Sequence, residues 1–517
     1  MIASSPLQNF KQMKKIYIAF CVAALLGGCK KSELELINPN QIVTETYWKT
    51  ETDVHSAFAA TYGLLRNVDG GFWGVRGIEL GNGRGDDFFI RNDVADLYRL
   101  STFTNNADNG TANALWNYSY RGIFRANQIL ENVGRVPLDD AKMKAYIAEA
   151  KFLRGLNYFI LAINFGEVPL ILAVPKDETE YAKPKAAEAE VWQQIIADFT
   201  EAGVDLPASY TSEWVGRATK GAALGYLGKA YLFTKDYAKA ESTLRQVTSM
   251  GYSLMPNYED NFLVTKENNA ESLFEIQLGD VGGTEAWGGE NASGALGVTT
   301  AQEFAPSEVG GWFEVGPTDK LFNEFQKERT AAGELDPRMY ATLIWDYPGA
   351  TFYRKPFSEF KLPFGFKSMF KKYQNYTQAN ELTGSSGASN YTSSNNERAL
   401  RYADVLLMLA EAVTMQGRPA EAYSFINQVR TRAKLAPLAA GYNQTQMMNE
   451  VMHQRMIEFA RENHRFYDLK RWGLLQQEIA NSDKVGKQFF VPGKHDYFPI
   501  PQNEINTNPL VTQNSNW

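Results

Sequence analysis

Apolar residues recur at three- and four-residue spacing through the first half of the chain, the period of helices with one buried face. Asp53–Val68 sets Val54, Ala57, Phe58, Thr61 and Leu65 on one side, and Thr111–Gly134 does the same with Leu115, Ile123, Ala126, Leu130 and Val133. Asp139–Phe165 is a longer run, stopped by Gly166 and Pro169, and Ala187–Asp205 ends before Pro207. Strict alternation appears at Ser272–Leu278, where Leu273, Glu275 and Gln277 oppose Phe274, Ile276 and Leu278, and predicts a strand. Further strands are predicted within Lys361–Tyr376 and near Gln488–Val491. The charged stretch Gln444–Leu475 predicts one helical run. Its Arg455/Glu458, Glu458/Arg461 and Arg465/Asp468 pairs stand at i, i+3 spacing and read as ion pairs locking that run to the rest, in preference to an anion site.

Two further segments share one set of offsets. In the first, Leu224, Leu227-Gly228, Tyr231, Ala240, Leu244 and Val247 flank a turn at Thr234–Asp236. In the second, Leu406, Leu409-Ala410, Val413, Ala422, Ile426 and Val429 flank Gln416-Gly417-Arg418-Pro419. Both match the tetratricopeptide pattern, in which small residues let paired helices approach and larger ones fill the interface. Such pairs need neighbours to cover their faces. The expected fold is therefore mainly α: a tetratricopeptide-like helical block with a loop-rich insertion carrying a few short strands. The insertion, 254–396, is rich in Gly, Asn, Ser and aromatics, and Thr383–Asn396 reads as an exposed loop. The expected division is a leader over 1–28, an N-terminal helical region over 29–253, the insertion, and a C-terminal helical region over 397–517.

The leader changes the compartment. Lys14 and Lys15 precede an uncharged stretch from Ile16 to Gly28 that is too short to span a bilayer, and Leu26-Gly27-Gly28-Cys29 closes it. Small residues before a cysteine fit a bacterial lipoprotein signal, with Cys29 as the lipidated first mature residue. Lys30-Lys31-Ser32-Glu33-Leu34-Glu35 follows, a charged tether that also resembles the export tags of surface lipoproteins. The chain has 2 cysteines; Cys21 leaves with the leader and Cys29 takes lipid, so no disulfide is expected. Formal charge is −7; removing Lys11, Lys14 and Lys15 with the leader leaves −10 for the mature chain. An acidic chain without basic clusters argues against nucleic-acid partners.

Aromatic residues make up 13% of the chain, with 10 Trp and 26 Tyr, a supply of flat apolar faces that also carry a polar handle. Enzyme signatures are weak. His55, His453, His464 and His495 have no metal-ligand spacing, Gly384-Ser-Ser-Gly-Ala388 misses the last glycine of a nucleophile elbow, and Gly81-Asn-Gly-Arg-Gly85 lacks a nucleotide loop's context. Paired carboxylates stay open, because 59 acids always offer pairs.

Several longer segments then carry a resemblance: Glu397–Ala412, Ile426–Ala433, Arg455-Met-Ile-Glu-Phe-Ala-Arg-Glu-Asn-His-Arg-Phe-Tyr-Asp-Leu-Lys-Arg-Trp472, Phe498–Ile505, and in the first half Arg125–Glu131 and Ala150–Gly155. Together they resemble the SusD/RagB family of nutrient-binding outer-membrane lipoproteins. Asn463-His464 departs from the pattern, where the family often has glycine; no functional consequence is expected. The resemblance implies a SusD-like fold on the outer face of the outer membrane, a SusC-like TonB-dependent transporter as partner, and no catalysis. Its ligands are mostly oligosaccharides, with peptides in some members. It also implies ligand loops after the first helix and in the insertion.

Three glycine-flanked tryptophans fall in those loops: Trp73, Trp287 and Trp312, the last followed by Phe313. They read as exposed platforms for sugar rings, whose C–H faces pack on indoles while hydroxyls need polar partners. Trp48, Trp116, Trp192 and Trp472 read instead as helix packing. Arg76 is a candidate polar contact beside Trp73. Asp86 and Asp87 read as hydroxyl ligands or, by preference, as residues that order their loop, with calcium the one metal considered and no cofactor expected. The expected function is capture of oligosaccharides for a transporter. Peptide capture of the same kind and surface glycoside hydrolysis are the alternatives.

Overall fold

The computed structural model describes residues 47–517 apart from 68–69, 280–296, 299, 363–364, 375 and 377–392. The leader, Cys21, Cys29 and the charged tether lie outside the described residues.

From Thr50 onward the chain forms a helical block. Its longer members are α1 (Glu51–Leu65), α2 (Val75–Gly83), α3 (Gly110–Asn132), α4 (Asp140–Phe165), α5 (Glu188–Asp205), α6 (Lys220–Phe233), α7 (Tyr237–Val247), α8 (Tyr402–Met415), α9 (Pro419–Arg432), α10 (Gln444–Glu458) and α11 (Arg465–Trp472). Caps fix their starts: Thr50 and Asp53 form a reciprocal box on α1, Asn109 accepts from Ala112 N at 3.0 Å, and Asp139 accepts from Lys142 N at 2.8 Å. Gly166, at φ 74°, ends α4 where the sequence places the stop.

Neighbours pack in the series α1, α3, α4, α5, α6, α7, α8, α9, so each helix covers the face the previous one leaves open. The two predicted tetratricopeptide pairs are α6–α7 and α8–α9, and α7 packs directly on α8. The small residue of the pattern is sterically required: a Cβ at Gly228 would stand 2.4 Å from the Leu244 side chain. Trp116 and Trp192 are buried in this block, and Trp472 donates to Glu411 at 3.1 Å, as packing residues.

The insertion leaves and returns at one place. Strand β2 (Ser272–Ile276) pairs antiparallel with β8 (Glu397–Arg401), from Ser272 opposite Arg401 to Ile276 opposite Glu397. Between them in sequence lie two more two-stranded ribbons, β4 (Leu343–Trp345) with β7 (Ser368–Phe370) and β5 (Thr351–Phe352) with β6 (Lys355–Pro356), and also β3 (Val315–Pro317), which pairs with β1 (Phe88–Ile90) of the N-terminal region. Around the insertion's ribbons a local core forms from Phe313, Ile344, Phe352, Phe357, Phe360 and Met369. Of the loop expected over Thr383–Asn396, residues 383–392 lie outside the described residues. Its end is not exposed: Asn395 is buried and donates to Phe262 O at 2.6 Å. Among the described residues, no helix is long and apolar enough to cross a membrane.

Three expectations are corrected. Gln488–Val491 is not a strand; Lys487–Phe489 is a 3-10 turn following Gly486 at φ 82°. The run Gln444–Leu475 is broken after Glu458, where Arg461 (φ 68°) and Asn463 (φ 58°) adopt left-handed conformations no helix accommodates. The i, i+3 ion pairs do not form, because these side chains are buried and reach other elements. Arg455 bonds Asp404 and Asp468, each at 2.7 Å; Arg461 bonds Glu397 at 2.9 Å; Arg465 bonds Asp86 at 2.7 Å. Glu458 takes Arg338 and Arg401, each at 3.1 Å, together with Arg432. The expected lock is present, but made through tertiary contacts.

Candidate functional site

The site is built on a tight loop that joins a short helix, Thr300–Phe304, to β3. Gly310 turns the chain at φ 92°. Gly311 lies so close to the helix that a Cβ there would stand 2.1 Å from Ala305 O. The returning backbone then pairs with the helix: Trp312 N donates to Gln302 O at 2.6 Å, Phe313 N to Ala305 O at 3.0 Å, and Glu314 N to Glu303 O at 2.8 Å. The Gln302 amide closes the turn on Gly310 O at 2.7 Å. From the far side Arg91 donates to the carbonyls of Trp312 and Phe313. Trp312 is left partly exposed on a loop held by these bonds.

Phe313 turns inward and is 5% exposed. It meets Phe366 at 5.9 Å, and Phe366 meets Phe89 edge-on at 4.8 Å. Phe89 and Phe366 continue into a cleft of about 280 Å³, with Tyr98, Asp319, Asp483 and Lys484 along it. An indole, a row of phenyl rings and carboxylates at the edge thus lie along one ribbon.

Beneath the loop sits an acidic cluster. Arg76 donates to Glu79 at 2.9 Å and to Glu314 at 3.1 Å, with Glu303 at 3.9 Å. Oxygens of Glu79, Glu303 and Glu314 lie within 4.8 Å of one another. Burial pushes the Glu303 carboxyl well above the usual carboxylate range, and the neighbouring Glu79 adds to it. Glu314 is raised for the same two reasons. Burial disfavours the Arg76 charge, but the three carboxylates outweigh burial and keep the guanidinium protonated. These are the acids, among the described residues, with the spacing to share a cation. The guanidinium among them already balances part of their charge.

The other sequence candidates fall elsewhere. Trp287 lies outside the described residues. Trp73 is not an exposed platform: it is 6% exposed, meets Phe72 edge-on at 5.0 Å, and walls a cavity of about 30 Å³ beside Asn463 and Tyr467. Its glycine neighbours serve close backbone approach; a Cβ at Gly74 would lie 2.0 Å from Asn67 O. Asp86 and Asp87 are also buried. Burial raises the Asp86 carboxyl, but Arg465 at 2.7 Å and Lys320 at 2.5 Å more than reverse that and hold it low. Asp87 is pushed up by burial and by the Asp86 charge. The Asp86 carboxylate is engaged by two side-chain cations, Arg465 and Lys320. Arg76 sits beneath the loop of Trp312, engaged by the carboxylates. Arg91 and the Glu303–Glu314 pair gave no signal in the sequence, since they matter only where β1 and β3 meet.

Residues 231–517 match the model of the SusD family, and residues 78–232 match that of a family described as starch-binding and associating with the outer membrane. SusD-like protein P2 of Formosa agariphila is 29% identical over 530 residues, covering 97% of this chain and 99% of its own. A SusD superfamily protein from Bacteroides vulgatus superposes with a TM-score of 0.82 at 34% identity, covering 91% of this chain and 100% of its own. A laminarin-binding SusD-like protein superposes at 0.76 with 26% identity, over 91% of this chain and 100% of its own.

Proposed function

This chain belongs to the SusD family, and from that premise we propose that it captures oligosaccharides outside the cell and passes them to a TonB-dependent transporter. It is anchored through lipid on Cys29 and faces the exterior. The partly exposed Trp312 carries the reading. Its loop is fixed by Gly311, Gln302 and Arg91, so the ring is presented without an ordering cost on binding. A sugar packs its C–H face on that ring, and its hydroxyls find carboxylates along the adjoining cleft. Trp287, which lies outside the described residues, is the other tryptophan whose sequence setting suits the same role. Similarity to a laminarin-binding protein at 26% identity supports a glycan as the ligand. The role is binding without bond cleavage.

The test is calorimetric titration of the leaderless chain against laminarin oligosaccharides, malto-oligosaccharides and short peptides, with Trp312→Ala and Trp287→Ala alongside. Saccharide binding that weakens in both variants supports the reading. Peptide binding indifferent to them, or sugar products accumulating during incubation, would refute it.

A further inference from the structure

A second cavity lies apart from the Trp312 loop. It measures about 810 Å³, within the range of about 300–1,000 Å³ typical of small-ligand sites. One wall is α3, with Trp116, Asn117, Tyr120 and Phe124; the other is the connection after α4, with Ile171 and Tyr181, and the C-terminal helix Gln502–Thr507 with Glu504 lines it too.

Part of the lining is committed to the fold and part is not. Trp116 is buried against Phe165 and Tyr120, and the Tyr120 hydroxyl donates to Pro169 O at 2.8 Å. Phe124 and Tyr181 differ. Phe124 is half-buried, Tyr181 is 58% exposed, and among the described residues neither ring meets another ring nor does the Tyr181 hydroxyl meet a protein partner. Asn117 is likewise exposed, and among the described residues Glu504 accepts a protein bond on Oε1, from Asn508 at 3.1 Å, and none on Oε2. Rings on two different walls of one groove, with an amide and a carboxylate oxygen left for hydroxyls, form the same chemistry as the Trp312 surface.

We propose that this groove is a second saccharide-binding site, taking a sugar segment between Phe124 and Tyr181 with its hydroxyls on Asn117 and Glu504. The proposal rests on the glycan reading above. A chain with two such sites would hold a long glycan at two points, and the second contact would raise retention without tighter binding at either.

The full leaderless chain is run by affinity electrophoresis in gels containing laminarin or amylopectin, and titrated with the corresponding oligosaccharides. Variants are Tyr181→Ala, Phe124→Ala and Trp312→Ala, singly and combined. Tyr181→Ala lies on the surface, so folding is preserved, and thermal unfolding checks each variant. The expected result is a loss of about three- to tenfold in affinity for Tyr181→Ala or Phe124→Ala. Trp312→Ala should leave a weaker residual binding that the double variant removes. Binding abolished by Trp312→Ala and indifferent to Tyr181→Ala and Phe124→Ala would overturn the groove and leave the glycan reading standing. A wild-type chain that binds no saccharide overturns both.

Discussion

Asn82 and Asn463 exchange two hydrogen bonds across 381 residues of chain: Asn82 Nδ2 donates to Asn463 Oδ1 at 2.8 Å, and Asn463 N donates to Asn82 Oδ1 at 3.1 Å. Asn463 also donates to Phe72 O at 3.3 Å, which ties the break after α10 to the turn that buries Trp73. At φ 58° this position suits glycine, and asparagine is among the residues that tolerate it. The asparagine is therefore a structural device at this turn. Asn463→Ala should lower unfolding stability by about 2–4 kcal/mol, from backbone strain plus buried partners left unmade. Asn463→Gly should cost about half as much, because only the bonds are lost. Urea midpoints of the two variants measure the difference; equal midpoints would show that the left-handed backbone contributes nothing.

Arg401 binds Glu462 through two bonds of 2.8 Å and also reaches Glu458 and Glu271, all of them buried. Replacing a buried ion network by apolar groups can be neutral, whereas deleting one partner strands the others. Arg401→Met should cost about 3–5 kcal/mol in a denaturant titration. A loss under 1 kcal/mol would mean that water reaches these carboxylates.

His453 lies between Glu324 at 2.6 Å and Glu328 at 3.1 Å. Burial lowers its pKa, but those two carboxylates overcome burial and raise it to about 9. A histidine raised in the folded state stabilises fully below its unfolded pKa of about 6.5, and that contribution disappears as pH rises toward 9. His453→Gln should therefore lose thermal stability at pH 6 and match the parent near pH 10. A constant deficit across that range would contradict the pairing.

The cluster under Trp312 has the opposite carboxylate logic from an ion pair. Glu303 and Glu314 are raised when folded, so the folded state holds protons that the unfolded chain releases above about pH 4.5. Stability should fall as pH rises from there through the folded pKa. Glu303→Gln removes one of these titrations, so the variant should gain melting temperature relative to the parent between pH 5 and pH 8. No relative gain would place a permanent charge on Glu303.

The loop itself is a steric device. Trp312→Ala should weaken saccharide binding about tenfold with only a modest change in melting temperature, since the residue is partly exposed. Gly311→Ala should weaken binding comparably by a different route, because its Cβ must displace Ala305 O. Retained affinity in Gly311→Ala would show that the loop need not be held in this form.

The sequence by itself determined the helical block. Helix periodicity and caps are local, so α1, α3, α4 and α5 lie within a few residues of their predicted spans, and the small and large positions of α6–α7 and α8–α9 specify close pairing. It also determined the family, since the matching segments are long and ordered. The tertiary structure decided which charged and aromatic groups are inside. Arg455, Arg461 and Arg465 share a periodic pattern with surface ion pairs, yet each is buried against a carboxylate supplied by another element. Trp73 and Trp312 have the same glycine-flanked signature; one fills the interior and the other meets solvent. Local spacing specifies which way a backbone can turn, but desolvation and charge pairing depend on which distant segments arrive beside it, and only the folded chain brings β1, β3 and α2 together.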